Sequence, residues 1–259
     1  MGVKVLATVL AAAALASPAE YIQGEQREDG GFGDPQLTAW ATLGLVAAGA
    51  DTGTASEYLA RQEPSDVTSL ALVALARSAA GDRPDELLAR LRAVRPGKLV
   101  NATIWTLLAL RQAGEPAPRA LVQALLAAQR PAGGWPWHLG GAPDTNDTAA
   151  AIQALRSAGV AGRPIDRGVA FLRRHQNADG GFELTDGRGS DAQSTAWAIQ
   201  ALIATRRDPG AAAFRYLQQL RRPDGSYRYN ARYATTPLWV TAQVLPALAR
   251  KPFPLRSSR

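Results

Sequence analysis

A threonine followed seven residues later by a leucine recurs six times along the chain, and this repeat constrains the fold more than any other feature. The pairs are Thr38/Leu45, Thr68/Leu75, Thr103/Leu110, Thr148/Leu155, Thr195/Leu202 and Thr241/Leu248. Successive threonines are 30, 35, 45, 47 and 46 residues apart. A constant offset inside each copy with variable spacing between copies is typical of helices of constant length joined by loops of variable length.

A further helix is predicted before each copy of the repeat. These helices are expected over residues 18–26, 54–62, 85–94, 118–129, 165–176 and 211–220, with Pro, Gly and Asp at the joints. The chain has no long β-branched alternating runs, so strands are expected only as short hairpin pieces near Tyr227–Tyr233. The sequence therefore predicts an all-α protein of six helical hairpins.

The helix that carries the threonine has two different faces. At 100° per residue, the threonine, the leucine and the small or aliphatic residues between them form one stripe. The opposite face carries tryptophans and amides, and we expect these side chains to bind a ligand: Gln36, Trp40, Asp66, Asn101, Trp105, Asn146, Gln193, Trp197 and Trp239. A helix with two buried faces fits a closed α/α toroid, in which an inner ring of helices meets a central axis and an outer ring of helices covers it.

Some of the predicted hairpins contain a turn in which two glycines precede an aromatic residue. The copies read Gln26-x-x-x-Gly30-Gly31-Phe32, Gln129-x-x-x-Gly133-Gly134-Trp135 and Gln176-x-x-x-Gly180-Gly181-Phe182, with a degenerate copy at Asp224-Gly225-Ser226-Tyr227. This turn resembles the Gln–Trp repeat of squalene–hopene cyclases and protein prenyltransferase β-subunits. The resemblance covers nearly all of residues 18–250 and implies the α/α toroid of the terpenoid cyclase-like superfamily. It implies much less about activity, because that fold serves several functions.

The segment Asp144-Thr145-Asn146-Asp147-Thr148-Ala149 resembles the Asp-x-Asp-Asp-Thr-Ala motif of class II terpene cyclases. In that family the middle Asp is the general acid that protonates an alkene or epoxide, and here Asn146 holds its position. An amide cannot donate the strongly acidic proton that the reaction requires. The flanking Asp144 and Asp147 are expected to cap the helix, as are Asp34 and Asp191. Asp66 is the only carboxylate of the ligand-binding set, so it is the first candidate for a catalytic acid, and Asp144 and Asp147 are weaker candidates.

The chain contains no cysteine, which excludes disulfides, thiolate metal sites and the zinc site of the prenyltransferases. Its only histidines are His138 and His175. His138 is expected to lie in a loop near the mouth of the toroid, and His175 is expected to be a surface or packing residue of an outer helix. The sequence indicates no metal and no cofactor.

The predicted domains are residues 1–16, 17–250 and 251–259. The first is an apolar segment with the layout of a signal peptide, which would place the protein outside the cytoplasm, or else an extra apolar helix. The second is the toroid and the third is a basic tail.

The net charge is +7, and the excess lies in the second half of the chain. The stretch Arg206–Arg232 carries seven Arg and two Asp, so an anionic partner or membrane surface is one expectation and a solvated face is the other. No specific nucleic acid is expected.

Three functions follow from these features. The first is an exported, non-catalytic toroid that binds a large apolar molecule, such as an isoprenoid lipid or a corrinoid, in its axial cavity. The second is a terpene cyclase or isomerase that acts on a polyprenyl or squalene-like substrate and takes its acid from Asp66 or from a partner domain. The third is an interaction scaffold that uses the basic second half. The missing acid favours the first function.

Overall fold

The structure is a computed structural model that describes residues 16–255. Over these residues it forms the predicted closed ring of six helical hairpins. The inner helices are α2 (Pro35–Ala48), α4 (Val67–Ala79), α6 (Val100–Gln112), α8 (Thr145–Ser157), α10 (Ala192–Ala204) and α12 (Pro237–Leu248). The outer helices are α1 (Pro18–Gly24), α3 (Ala55–Ala60), α5 (Asp85–Arg92), α7 (Arg119–Ala127), α9 (Arg163–Arg174) and α11 (Ala211–Gln219). Each inner helix packs on its two neighbours, and α12 packs on α2, which closes the ring.

The signal-peptide prediction concerns residues 1–16, of which 1–15 lie outside the described part of the chain. The first described helix begins as the sequence predicts. The Ser17 hydroxyl accepts a hydrogen bond from the Glu20 backbone N–H (3.1 Å), and the Glu20 carboxylate accepts one from the Ser17 N–H (2.6 Å). Among the described helices, none combines the length and apolar character needed to cross a bilayer.

The recurring threonine holds the glycine–aromatic turn against the inner helix. In four hairpins the backbone N–H of the turn aromatic donates to the threonine hydroxyl at 2.8–2.9 Å. The pairs are Phe32/Thr38, Trp135/Thr148, Phe182/Thr195 and Tyr227/Thr241. All four threonines are buried, so the hydroxyl satisfies a backbone donor that water cannot reach.

The glutamine of the turn motif binds backbone carbonyls of two separate segments. Gln26 Nε2 donates to the carbonyls of Gly30 (2.9 Å) and Thr52 (3.2 Å), and Gln129 Nε2 donates to those of Gly133 and Pro164. Gln26 thus links its own turn to the loop before α3, and Gln129 links its turn to the first turn of α9.

The short hairpin lies in a different loop from the one predicted. Strand β1 (Phe182–Glu183) pairs antiparallel with β2 (Ser190–Asp191), just before α10. The expected region near Tyr227–Tyr233 contributes only an isolated bridge between Arg221 and Tyr227. The aromatic residues of that region had suggested strands, but Tyr227 is instead the buried turn aromatic of the last hairpin.

Residues 251–259 were predicted to form a basic tail outside the toroid, whereas residues 251–255 pack onto the ring. Phe253 and Leu255 are both buried. Their apolar side chains explain the difference, because burying them is favourable although the segment as a whole is basic.

Candidate active site

A pocket of about 220 Å³ opens on the ring axis at the end where the inner helices begin, and we call this end the mouth. All six inner helices contribute to its wall. The structure brings together eight of the nine side chains predicted to face the axis: Gln36, Trp40, Asn101, Trp105, Asn146, Gln193, Trp197 and Trp239. Thr68, Leu72, Asp147, Ala150 and Gln243 complete the wall, and the ligand-binding set did not include them. Because the first turns of all six helices line one pocket, the helices run parallel around the axis.

Three tryptophans fill the axis below the pocket. Their ring centroids lie 5.3 Å apart for Trp40 and Trp105 and 5.7 Å apart for the other two pairs, Trp40–Trp197 and Trp105–Trp197, all with edge-to-face geometry. Edge-to-face aromatic pairs of this kind are mutually attractive. The expected axial cavity for a large ligand is therefore replaced by a shallow pocket with a tryptophan floor.

Amide side chains fix the orientation of this floor. Gln243 Oε1 accepts hydrogen bonds from Trp197 Nε1 (2.8 Å) and from Gln193 Nε2 (2.9 Å). Gln243 Nε2 is buried in the pocket wall, and among residues 16–255 nothing accepts a hydrogen bond from it. The pocket thus combines aromatic faces with a small number of oriented polar groups, as ligand sites commonly do.

Asp144 and Asp147 occupy the start of α8 and have different roles. Asp144 caps the helix, and its Oδ1 accepts a hydrogen bond from the Asp147 N–H at 2.8 Å. Asp147 lies one helical turn further on in the pocket wall, with only 7% of its surface exposed. Its Oδ1 accepts a hydrogen bond from Asn101 Nδ2 of α6 at 2.7 Å. The prediction that both residues cap the helix is therefore correct for Asp144 and wrong for Asp147.

The environment of Asp147 favours the protonated acid. Burial raises the pKa of Asp147 to about 8, and the charge of Asp144 acts in the same direction, while the hydrogen bond from Asn101 opposes it. Burial also raises the pKa of Asp144, although hydrogen bonds from the backbone at the start of α8 oppose that rise. Two carboxyl groups in one buried site share protons as a pair. A carboxyl group that is still protonated at neutral pH can act as a general acid.

Asn146 lies between the two acids and also lines the pocket. Its Oδ1 is buried and has no hydrogen-bond partner among the described residues. The position that corresponds to the family's acid thus faces the pocket but holds an amide, while the neighbouring Asp147 presents a carboxyl group there.

Asp66, the sequence's candidate acid and ligand contact, lies outside the pocket. It is exposed and caps α4, and its Oδ1 accepts a hydrogen bond from the Ser69 N–H at 2.9 Å. Hydrogen bonds from Ser69 lower the pKa of Asp66, so this carboxylate is ionised at neutral pH. Helical phase alone placed it on the axis, but a residue that caps a helix has an extended backbone and leaves that phase.

Neither histidine enters the pocket wall. His138 is exposed in the loop before α8, where its Nδ1 lies 2.9 Å from the Leu139 carbonyl oxygen. His175 is buried at the end of α9, with its ring centroid 4.3 Å from that of Phe171, and its Nε2 lies 3.2 Å from Asp186. The packing role predicted for His175 agrees with this position.

The ring of hairpins and the turn repeat form an α/α toroid, and this is the fold that the resemblance to terpenoid cyclases implied. No model of a known protein family matches the chain. The drimenyl diphosphate synthase of Streptantibioticus cattleyicolor is 34% identical over 181 residues, which cover 62% of this chain and 34% of that protein. The drimenyl diphosphate synthase of Streptomyces showdoensis is 36% identical over 95 residues, or 32% of this chain and 18% of that protein. The chain thus spans about a third or less of the length of these curated relatives.

Solved structures share the fold at lower identity. The ent-copalyl diphosphate synthase of Streptomyces platensis superposes with a TM-score of 0.64 at 20% identity, over 83% of this chain and 50% of that one. The type II terpene cyclase MstE of Scytonema superposes with a TM-score of 0.67 at 16% identity, over 90% of this chain and 95% of that one. Nearly the whole solved chain of MstE is thus matched by a single toroid of this kind.

These relatives overturn the preferred functional prediction. The curated relatives are synthases and these two solved structures are terpene cyclases, so the interpretation as an exported, non-catalytic carrier is wrong, and the cyclase alternative fits the comparisons better. The error arose from Asn146, because its amide was taken to close the catalytic route that the family uses. The tertiary structure places a carboxyl group, that of Asp147, in the same wall.

Proposed function

We propose that this toroid is the catalytic unit of a class II terpene cyclase, and that Asp147 is its general acid. The observation that carries the proposal is the carboxyl group of Asp147, which is buried, favours its protonated form and lines an aromatic pocket. Alkene protonation needs an acid that is still protonated at the working pH and that is kept away from water. Asp147 satisfies both requirements.

The reaction would begin when Asp147 transfers its proton to one carbon of the terminal alkene, leaving a carbocation on the other. Each neighbouring alkene of the chain then attacks the cation, which forms a ring bond and moves the charge along the chain. Loss of a proton to a base ends the reaction, so that the product is an isomer of the substrate. The tryptophan rings of the floor attract a cation through their faces and would stabilise these intermediates. The charge of Asp144 raises the pKa of Asp147. The carboxyl group of Asp147 therefore keeps its proton until the substrate enters.

The pocket limits which part of the substrate can enter. Its volume of about 220 Å³ lies below the roughly 300–1,000 Å³ that is usual for sites enclosing a whole drug-sized ligand. We therefore infer that the pocket receives the terminal alkene end of a linear isoprenoid, while the remainder lies across the mouth. Exposed apolar side chains in the loops that lead into α6, α8 and α12 would contact that remainder: Leu99, Trp137, Leu139 and Tyr233.

The relatives named for drimenyl diphosphate support a diphosphate as the end group of the substrate. The starts of four inner helices are already capped by Asp carboxylates, those of Asp34, Asp66, Asp144 and Asp191, so the helix dipoles alone do not argue for this group. The proposed substrate is therefore a linear prenyl diphosphate that is cyclised from its alkene end without loss of the diphosphate.

The test is a turnover assay on the purified chain with linear prenyl diphosphates of 15 and 20 carbons and with squalene, and products are analysed by mass spectrometry after phosphatase treatment. The wild type should convert a prenyl diphosphate to a cyclic isomer of equal mass. Asp147→Asn should reduce turnover by at least about 10³-fold, because it removes the transferable proton but keeps the oxygen that Asn101 binds. The matched control Asp66→Asn alters an exposed cap and should remain active.

A variant with an added acid tests the same assignment from the opposite direction. Asn146→Asp restores an acid at the position that the family uses, and the variant should retain activity even when combined with Asp147→Asn. No turnover of any substrate by the wild type would contradict the proposed function. Full activity in Asp147→Asn would contradict the assignment of the acid.

A further inference from the structure

Residues 251–255, which we call the C-terminal strap, cross the ring at the end opposite the mouth. The strap leaves α12, where the Lys251 N–H donates to the Pro246 carbonyl at 2.9 Å. Further along, the Phe253 N–H donates to Gln153 Oε1 of α8 at 2.7 Å, and the Leu255 carbonyl accepts from Gln112 Nε2 of α6 at 2.8 Å. Since α12 and α6 lie on opposite sides of the six-helix ring, the strap crosses the axis.

The strap places the ring of Phe253 against the underside of the tryptophan floor. Phe253 is 3% exposed, and its centroid lies 5.8 Å from Trp197 and 6.4 Å from Trp40. Both tryptophans line the pocket on their other side. Phe253 is therefore separated from the pocket by a single layer of aromatic rings.

A buried polar contact fixes the position of Phe253. Gln153 is fully buried on an inner helix, and its Nε2 lies 3.3 Å from the Ala149 carbonyl oxygen. This contact turns Oε1 towards the strap, where it accepts the hydrogen bond from Phe253. A buried glutamine with this partner holds the main chain of the strap in one place, since an unsatisfied buried amide is costly.

We propose that Phe253 sets the depth of the pocket and thereby selects the length of the isoprenoid end that can enter. This proposal rests on the proposed function. Phe253 is a positioning residue that acts through Trp40 and Trp197, which cannot move away from the mouth while its ring occupies the space below them. Removal of that ring leaves a void into which the two tryptophans can move, so the pocket deepens towards the strap.

The test compares Phe253→Ala with Leu255→Ala, which truncates another buried residue of the same strap. We expect Phe253→Ala to raise the ratio of kcat/KM for the 20-carbon prenyl diphosphate to that for the 15-carbon one by about tenfold, a change that small differences in an apolar pocket commonly produce. Leu255→Ala should leave this ratio unchanged although it also lowers stability. Phe253→Leu, which removes less volume, should shift the ratio in the same direction to a smaller extent, and it replaces Phe253→Ala if that variant does not fold.

A second readout separates failure of this proposal from failure of the proposed function. Quenching of tryptophan fluorescence by linear alcohols of 10, 15 and 20 carbons measures pocket depth without turnover. Phe253→Ala should bind the longest alcohol more tightly relative to the shortest than the wild type does. If neither readout changes, or if Leu255→Ala changes both equally, Phe253 does not set the depth of the pocket. If the wild type binds the alcohols but turns over no prenyl diphosphate, the cyclase proposal fails. The quenching data then still show whether Phe253 sets the depth of the pocket.

Discussion

Asn101 donates a 2.7 Å hydrogen bond from α6 to Asp147 on α8, across 46 residues of sequence. This bond stabilises the ionised carboxylate, whereas burial and Asp144 favour the neutral acid. The proton-donating strength of Asp147 is therefore set by a balance between two adjacent inner helices, and each partner can be changed separately.

Substitution of Asn101 by Ala should raise the pKa of Asp147 further, because it removes the hydrogen bond that favours ionisation. If Asp147 is the general acid, the alkaline limb of the pH profile of kcat/KM should move to higher pH, and kcat should fall because a more weakly acidic and less well oriented group donates the proton. Gln36→Ala is the control, since that pocket amide donates to Ser69 instead of a carboxylate. An alkaline limb that moves equally in both variants, or in neither, would contradict the role given to the Asn101–Asp147 bond.

The stability of the protein should depend on pH through Asp147. Its pKa is about 8 in the folded protein and roughly 3.9 in the unfolded chain, so the folded state binds the proton more tightly. The stabilisation is complete below the unfolded pKa and is lost as pH rises through the folded pKa, at up to about 1.4 kcal/mol per pH unit. Asp147→Asn lacks this loss, so its free energy of unfolding should exceed that of the wild type by about 2 kcal/mol or more at pH 9 and should approach it at acid pH.

Urea denaturation at pH 5, 7 and 9 measures this difference. Asp66→Asn serves as the comparison, because the pKa of Asp66 is lowered in the folded state and its contribution is lost as pH falls instead. A wild type that gains stability relative to Asp147→Asn between pH 5 and pH 9 would show that Asp147 is ionised in the folded protein at neutral pH.

Thr38→Val should destabilise the ring by about 1–3 kcal/mol, because the N–H of Phe32 loses its hydroxyl partner inside the core. Thr103→Val is the matched control. It occupies the same repeat position, but the loop before α6 carries no glycine–aromatic turn. Equal losses of thermal stability in the two variants would mean that the turn bond is not what the repeated threonine provides.

Gly44→Ala should weaken the closure of the ring. A Cβ at this position would lie 2.7 Å from the Ala242 backbone oxygen, so α2 and α12 would have to separate, at a cost of about 1–3 kcal/mol. Gly24→Ala adds the same methyl group to a helix where no atom lies within 4 Å, and it should be neutral or slightly stabilising. The difference in melting temperature between the two variants measures how much the contact between the first and last inner helices contributes to stability.

Most of the fold was predictable because it depends on local spacing. The Thr–Leu offset located the six inner helices, and the three Gly–Gly–aromatic turns with their one degenerate copy located four of the joints. The short hairpin was placed wrongly, because aromatic content cannot distinguish a strand from a buried turn residue such as Tyr227.

The candidate site was predictable where helical phase alone decides which way a side chain faces. Trp40, Trp105 and Trp197 met on the axis for this reason. Helical phase failed at the helix ends, where Asp66 adopts the extended backbone of a cap. Asp147 was a weak catalytic candidate through its motif, but helical phase had not placed it among the pocket residues.

The sequence by itself determined the ring, since repeated short-range patterns specify helices, turns and the faces that they bury. Only the tertiary structure decided the chemistry, because the pKa of Asp147 depends on burial and on Asn101, which lies on another hairpin. The depth of the pocket was likewise decided by three tryptophans from separate helices and by Phe253, which returns across the axis from the far end of the chain. Such properties arise from groups that are distant in sequence and adjacent in space, so no local pattern encodes them.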